Sequence, residues 1–299
     1  MTARTALEGR LVPDAPLGPL TTYKVGGAAR FLVEADSVAD VVAAVGLAAE
    51  EGLPVFVLGR GSNVLVADSG FAGVVIRPGA GLATRSIDEV TGEVTAGAAT
   101  PLPLLARETA RAGRGGLEFF TGIPGSVGGA VRMNAGCHGS STAEWLRDVE
   151  LVVVGEAAPR VREASELDLS YRRSNLTDGD IVVSATFRTE ETTIEEAEAR
   201  IREITAWRRR HQPGGTLNAG SVFKNPPGDA AGRIIDSLGL KGLRVGGAEV
   251  SDRHANFFVA HDGATAGDIA ALIAEVRKRV RTVTGIDLEP EIRMLGDFP

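Results

Sequence analysis

Cysteine is all but missing from this chain: 299 residues contain one, Cys137. No internal disulfide framework can form, and such sparing use fits a reducing compartment. Nowhere do 18 apolar residues run together, which argues against a membrane-spanning helix. The opening stretch "MTARTALEGRLVPDAPLGPL" lacks the continuous apolar core of a signal peptide. Positive charge is in deficit, with 32 Lys and Arg against 39 Asp and Glu, a net charge of −7 and a pI near 5.3. That balance argues against a general nucleic-acid-binding role, while backbone amides and a few Arg or Lys can still hold a small anion. These absences predict a cytoplasmic protein with neither nucleic acid nor membrane as a partner.

What remains is ordinary in bulk, 43% hydrophobic and 24% charged, as in a globular protein. The length exceeds one small core and predicts two or three lobes. "SVADVVAAVGLAAEEG" (37–52) has helical spacing, with Ser37 placed to cap it and Gly52 to end it. "PVFVLG" (54–59), "NVLVAD" (63–68) and "GVVIRP" (73–78) read as strands, followed by a strand and a helix within 92–113. "DVELVVV" (148–154) and "DIVVSATFRT" (180–189) are further strands. A long charged helix is expected over 192–213, where Thr193 and Glu196 have capping-box spacing, and another over 265–285. The latter places Ile269, Leu272, Ile273, Val276, Val280 and Val283 on one face. The closing "IDLEPEIRMLG" alternates like a strand. "VGGA" at 25–28, 127–130 and 245–248 has different flanks each time and reads as three glycine turns. The expected class is therefore α/β (α+β), with a boundary near residue 190.

Two glycine-rich loops stand out, "GRGSN" (59–63) and "GIPGSVGGAVRMNAG" (122–136). Glycine lets backbone amides approach a phosphate without interference from Cβ. One such loop reads more readily as a tight turn between strands; two in one region favour a ligand. Neither is a Rossmann fingerprint, because "GRGSNV" lacks the third glycine and a strand follows where a helix should start. A Walker A sequence is absent. Ser221 and Lys224 in "NAGSVFKNPPG" have Ser-x-x-Lys spacing, the nucleophile motif of penicillin-recognising acyl transferases. That chemistry needs both residues on a helix, which Pro226 and Pro227 oppose, and no Lys-Thr-Gly occurs. Acyl transfer is rejected.

The loop pair, with "YRRSNL" (171–176), "AGSVFKNP" (219–226), "AGRIIDSLGLKG" (231–242), "GGAEVSDRHANFFV" (246–259) and "LEPEIRMLG" (288–296), resembles the UDP-N-acetylenolpyruvylglucosamine reductase family. These are flavoenzymes of cell-wall precursor synthesis whose flavin domain has the vanillyl-alcohol-oxidase type of fold. The resemblance covers nearly the whole chain, in order, and looks like the short form without a tyrosine-bearing lid. It implies an FAD-binding domain over 1–190, in lobes of about 1–80 and 81–190. A substrate-binding domain over 191–299 would follow, its C-terminal tail contributing to the active site. Cofactor contacts are implied for Gly59, Arg60, Gly61, Ser62 and Asn63 in the first loop. In the second they are implied for Gly122, Ile123, Pro124, Gly125, Ser126, Gly129, Ala130 and Asn134. The chain departs from the pattern after "NAG", where Cys137 and His138 replace an expected Ala-Tyr or similar pair. Neighbouring side chains point apart, so these two read as supporting residues. No histidine precedes His138, so FAD is expected to be held non-covalently.

In the family NADPH reduces FAD, and the reduced flavin then delivers hydride to the methylene carbon of the enolpyruvyl ether. An enolate remains that must be stabilised and protonated. The matching positions are Arg172 as the cation, Ser221 as the proton donor and Glu291 as a second acid. Arg173 and Glu289 are the near competitors. Tyr171, Lys224, Asn225 and Asn256 match substrate-contact positions. Arg208–Arg210 suit a helix C-terminus or an anionic ligand equally, and His254 reads as structural. No metal site is implied, and a monomer is favoured. The rival readings are a sugar or alcohol oxidase and an FAD-carrying electron-transfer subunit, both on the same flavin fold.

Overall fold

The computed structural model describes residues 3–156 and 158–298. The chain divides into two compact units, each assembled from separated segments. The first takes residues up to Pro13, Arg30–Gly59 and Gly73–Trp207; the second takes Asp14–Ala29, Arg60–Ala72 and everything from Arg208. The linear reading expected one change near 190. The structure instead returns two short N-terminal segments to the C-terminal unit.

In the first unit a four-stranded sheet runs in the order Leu11–Pro16, Ala28–Ala35, Phe71–Pro78, Val55–Val57. The helix Val38–Glu51 contributes Val41, Ala44, Val45, Leu47 and Ala48 to a core with Val33, Val74 and Ile76. Its ends follow local chemistry. Ser37 accepts from Asp40 N in a reciprocal capping box, and Gly52 closes the helix at φ 64°. A second, antiparallel sheet orders Arg160–Glu163, Leu146–Val153, Asp180–Phe187, Val94–Gly97 and Arg85–Ile87. Its core joins Val149, Leu151 and Phe187 to Leu102, Leu105, Phe120 and Val131.

The second unit packs the helices Ala231–Ser237 and Ala266–Thr284 with a three-stranded sheet of Arg244–Val245, Ala248–Val250 and Phe258–Ala260. Tyr23 and Leu65, from the early segments, are buried in this core, and the Tyr23 hydroxyl donates to Phe258 O at 3.2 Å. Val64–Val66 pairs in parallel with Arg293–Leu295. Three expectations change. Val283 is 68% exposed, because the apolar stripe of its helix leaves the core after Val280. Only Arg293–Leu295 of the closing segment is strand. Pro290 forms an isolated antiparallel bridge with Phe223, flanked by Glu291 N donating to Val222 O and Lys224 N to Glu289 O. The "VGGA" at 127–130 is not a turn but opens the helix Val127–Met133.

Candidate active site

Within the first unit Gly59 lies beside the second loop, where a Cβ on it would come 2.7 Å from Ser126 Oγ. The second loop is held in place from behind. Leu102 N donates to Gly125 O at 3.1 Å, Val127 N to Thr100 O and Gly128 N to Ala98 O, both at 3.0 Å. Ser126 and Ala130 are buried, Gly122 and Ile123 half-buried, Pro124 and Gly129 exposed. A Cβ on Gly129 would meet nothing nearer than Ser126 Oγ at 3.9 Å, so it would project into space the protein leaves open. Bare, braced backbone of this kind fits the diphosphate of a dinucleotide. Gly129→Val is therefore expected to lower FAD retention on purification, while the melting temperature of the FAD-free protein stays near wild type. Normal flavin content would remove Gly129 from the cofactor site.

In the second unit Gly61 has φ 62° and a Cβ there would meet Leu20 O at 2.3 Å, which demands glycine. Arg60 is exposed; Ser62 and Asn63 are half-buried. Asn63 looks toward the C-terminal tail. Its amide donates to Glu291 O at 3.1 Å, and its carbonyl accepts from Arg293 N at 3.0 Å.

Asn134 is held by backbone groups. It ends the helix Val127–Met133 at φ 41° and is 4% exposed. Its Oδ1 accepts from Ala143 N at 2.9 Å and its Nδ2 donates to Ser170 O at 2.7 Å. The amide thus braces the turn Ser170–Arg173, which is closed by reciprocal 3.0 Å backbone bonds between those two residues. Arg172 sits at φ 55° in that turn, half-buried, with Nη2 donating to Gly136 O at 2.6 Å and its guanidinium 5.1 Å from the Tyr171 ring. Arg173 is exposed, and so is Tyr171 at 53%. Cys137 Sγ donates to Phe119 O at 3.1 Å, whereas the His138 ring meets Trp207 edge-on at 5.1 Å. Both side chains lie beside Gly122, where an added Cβ would come 2.6 Å from Cys137 Sγ and 3.6 Å from His138 Cδ2.

In the second unit the segment carrying Ser221 lies between two others. No helix contains Ser221 and Lys224, in keeping with the prolines after them. Ser221 pairs across from Phe257 as an isolated bridge. On the other side Glu291 N donates to Val222 O at 2.7 Å, and Lys224 N to Glu289 O at 2.9 Å. Ser221 and Glu291 therefore stand on adjacent, mutually bonded segments. The Glu289 carboxylate pairs with Lys224 Nζ at 2.6 Å. Asn225 Oδ1 accepts from Ala231 N at the start of the helix Ala231–Ser237. Asn256 is 3% exposed, and its amide grips the backbone of Phe223. Burial holds the His254 imidazole below its usual range, and its Nδ1 accepts from Asn256 N at 3.2 Å, a structural role. Arg253 donates to the carbonyls of Arg209 and Arg210, closing the C-terminus of the helix Ile194–His211. The two braces, Asn134 and Asn256, had signals: an Asn directly after a helix stretch, and an Asn inside the apolar run "HANFFV".

A family profile described as FAD binding domain matches residues 29–155. Another, described as UDP-N-acetylenolpyruvoylglucosamine reductase, C-terminal domain, matches residues 212–295. The chain is 47% identical over 287 residues to the UDP-N-acetylenolpyruvoylglucosamine reductase of Rubrobacter xylanophilus, covering 95% of each. Against the enzyme of that name from Novosphingobium aromaticivorans it is 44% identical over 296 residues, covering 98% of this chain and 97% of the relative. The crystal structure of UDP-N-acetylenolpyruvylglucosamine reductase from Thermus caldophilus matches with a TM-score of 0.81 at 39% identity, over 96% of this chain and 98% of that one.

Proposed function

The chain belongs to the UDP-N-acetylenolpyruvoylglucosamine reductase family, and we propose that Arg172, Ser221 and Glu291 carry its chemistry. It is an FAD-dependent oxidoreductase that uses NADPH to reduce UDP-N-acetylenolpyruvoylglucosamine to UDP-N-acetylmuramate, a step of peptidoglycan precursor synthesis. Bound FAD would supply the two-electron relay between NADPH and the enolpyruvyl ether, and the backbone amides of the 122–130 loop would hold its diphosphate. Reduction at the methylene carbon leaves negative charge on the carboxylate side of the substrate. Arg172 offers that charge a permanent cation with a planar fork. Glu291, when protonated, hydrogen-bonds the same enolate. The Ser221 hydroxyl gives its proton to the adjacent carbon, a base strong enough to take it from a serine. Lys224 and Asn225 hold the UDP-sugar, Lys224 sharing its charge with Glu289.

The observation that supports this assignment is the backbone bond from Glu291 N to Val222 O, which joins the segments that carry the two proposed acids. The domain assignment proposed is FAD on the N-terminal part to about 190 and substrate on 191–299, with Glu291 supplied by the tail. The enzyme is proposed to work as a cytoplasmic monomer; among the described residues no helix is long and apolar enough to cross a membrane. The test is an anaerobic titration of the purified yellow protein. NADPH should bleach the flavin band rapidly, and the enolpyruvyl substrate should restore it far faster than oxygen does. Fast oxygen turnover to hydrogen peroxide, indifferent to substrate, would place the chain among oxidases instead.

A further inference from the structure

We infer that Asn256 is the positioning residue of the proton-transfer step: its buried amide acts as a substitute strand that fixes Ser221 relative to Glu291. The inference rests on the reading of Ser221 as the proton donor. Residues 218–225 form neither helix nor ladder, so their shape depends on bonds to other segments. Asn256 makes three of these. Its backbone carbonyl accepts from Val222 N at 2.9 Å, its Oδ1 accepts from Phe223 N at 2.9 Å, and its Nδ2 donates to Phe223 O at 2.8 Å. An amide side chain is a peptide group on a short tether, and here it satisfies both polar groups of Phe223 as a neighbouring strand would.

The opposite edge of the same segment is bonded by the tail, through Glu291 N to Val222 O at 2.7 Å and Lys224 N to Glu289 O at 2.9 Å. Residues 222–224 are thus held from both sides, and Ser221 directly precedes them, bridged to Phe257 next to Asn256. Phe223 is 1% exposed and its ring lies edge-on to Phe258 at 5.9 Å, so the segment cannot shift sideways without opening the core. Asn256 is in turn held by its own N–H, which donates to His254 Nδ1. Burial disfavours the charged imidazole and so preserves that acceptor. Nothing in this chain of contacts needs Asn256 to touch a ligand; it acts through Ser221.

Asn256→Ala removes both side-chain bonds, and Asn256→Asp keeps the acceptor for Phe223 N while losing the donor to Phe223 O. The Asp variant serves if the Ala variant does not fold. With either, bleaching of the flavin by NADPH should proceed at the wild-type rate per bound flavin. Reoxidation by saturating substrate should slow by about a hundredfold, the usual penalty for a reacting group displaced by about 1 Å. The solvent deuterium isotope effect on that half-reaction should rise, because proton transfer becomes limiting. Amide hydrogen exchange at Val222 and Phe223 should quicken.

Combining Asn256→Ala with Ser221→Ala should cost little more than Ser221→Ala alone, since one residue acts through the other. Wild-type reoxidation alongside a lowered melting temperature would reduce Asn256 to a packing residue and overturn the inference. So would a weakened substrate Kd with an unchanged limiting rate, which is the signature of direct contact. A silent Ser221→Ala variant would instead sink the proton-donor reading itself, whatever Asn256 does.

Discussion

Replacing Arg172 by alanine should lower kcat by about two to three orders of magnitude while leaving FAD content unchanged. That is the typical loss when one preorganised charge stabiliser is removed from a developing oxyanion, about 3–4 kcal/mol. The geometry explains why such a loss is expected at Arg172 and not at its neighbour. Arg172 occupies a left-handed backbone conformation, and its guanidinium is oriented by the Gly136 carbonyl and the Tyr171 ring. A cation held in this way loses no rotamer freedom when charge develops beside it. Arg172→Lys should recover little, because an ammonium cannot bond Gly136 O and offer a planar fork at once. Arg173, exposed on the same turn, supplies the control. Arg173→Ala is expected within severalfold of wild type by steady-state kinetics, and a loss there with a near-normal Arg172→Ala would exchange their roles.

The turn that presents Arg172 also shows where a linear reading stops. Helix ends were legible because their chemistry is local. Ser37 and Asp40 cap within three residues, Thr193 and Glu196 do likewise, and Gly52 needs only its own φ. The loops rich in glycine were legible for the same reason, since the absence of Cβ is written in the residue. The backbone bonds of Asn134 and Asn256 were not legible, because an amide looks the same in sequence whether it meets a ligand or a backbone. Their partners, Ser170 and Phe223, lie 36 and 33 residues away.

Long-range pairing hid the architecture of the second unit as well. Tyr23 bonds Phe258, and Val64–Val66 pairs with Arg293–Leu295, across more than two hundred residues of chain. No periodicity in 14–29 or 60–72 announces such partners. The tail was legible in part. Its alternation over 286–296 predicts a strand, and Arg293–Leu295 is one, while at Pro290 an isolated antiparallel bridge to Phe223 forms, flanked by bonds from Glu291 N to Val222 O and Lys224 N to Glu289 O. That bridge, whose partner lies 67 residues away, joins the tail to the segment carrying Ser221.

Ser221→Ala is the variant for which the two halves of the reaction should separate most sharply. NADPH oxidation precedes any demand for a proton on the substrate, so the hydroxyl should be silent in that half. FAD content and the rate of flavin bleaching are expected near wild type, and so is the fold, because Ser221 pairs with Phe257 through the backbone, which alanine retains. Substrate-driven reoxidation should slow by about two to four orders of magnitude, the worth of a positioned general acid. In free energy that is about 3–5 kcal/mol. Ser221→Cys should retain part of the activity, since a thiol also donates a proton. Anaerobic stopped-flow absorbance times the two halves separately on one sample. The Ser-x-x-Lys spacing supplies an internal contrast: a hydroxyl acting as nucleophile would need Lys224 as its base, whereas here that ammonium is paired with Glu289 at 2.6 Å. Glu289→Gln should therefore leave the reoxidation rate within severalfold of wild type. If Ser221→Ala reoxidises as fast as the parent enzyme, the serine is a turn residue and the proton must come from elsewhere, with Glu291 the next group to test.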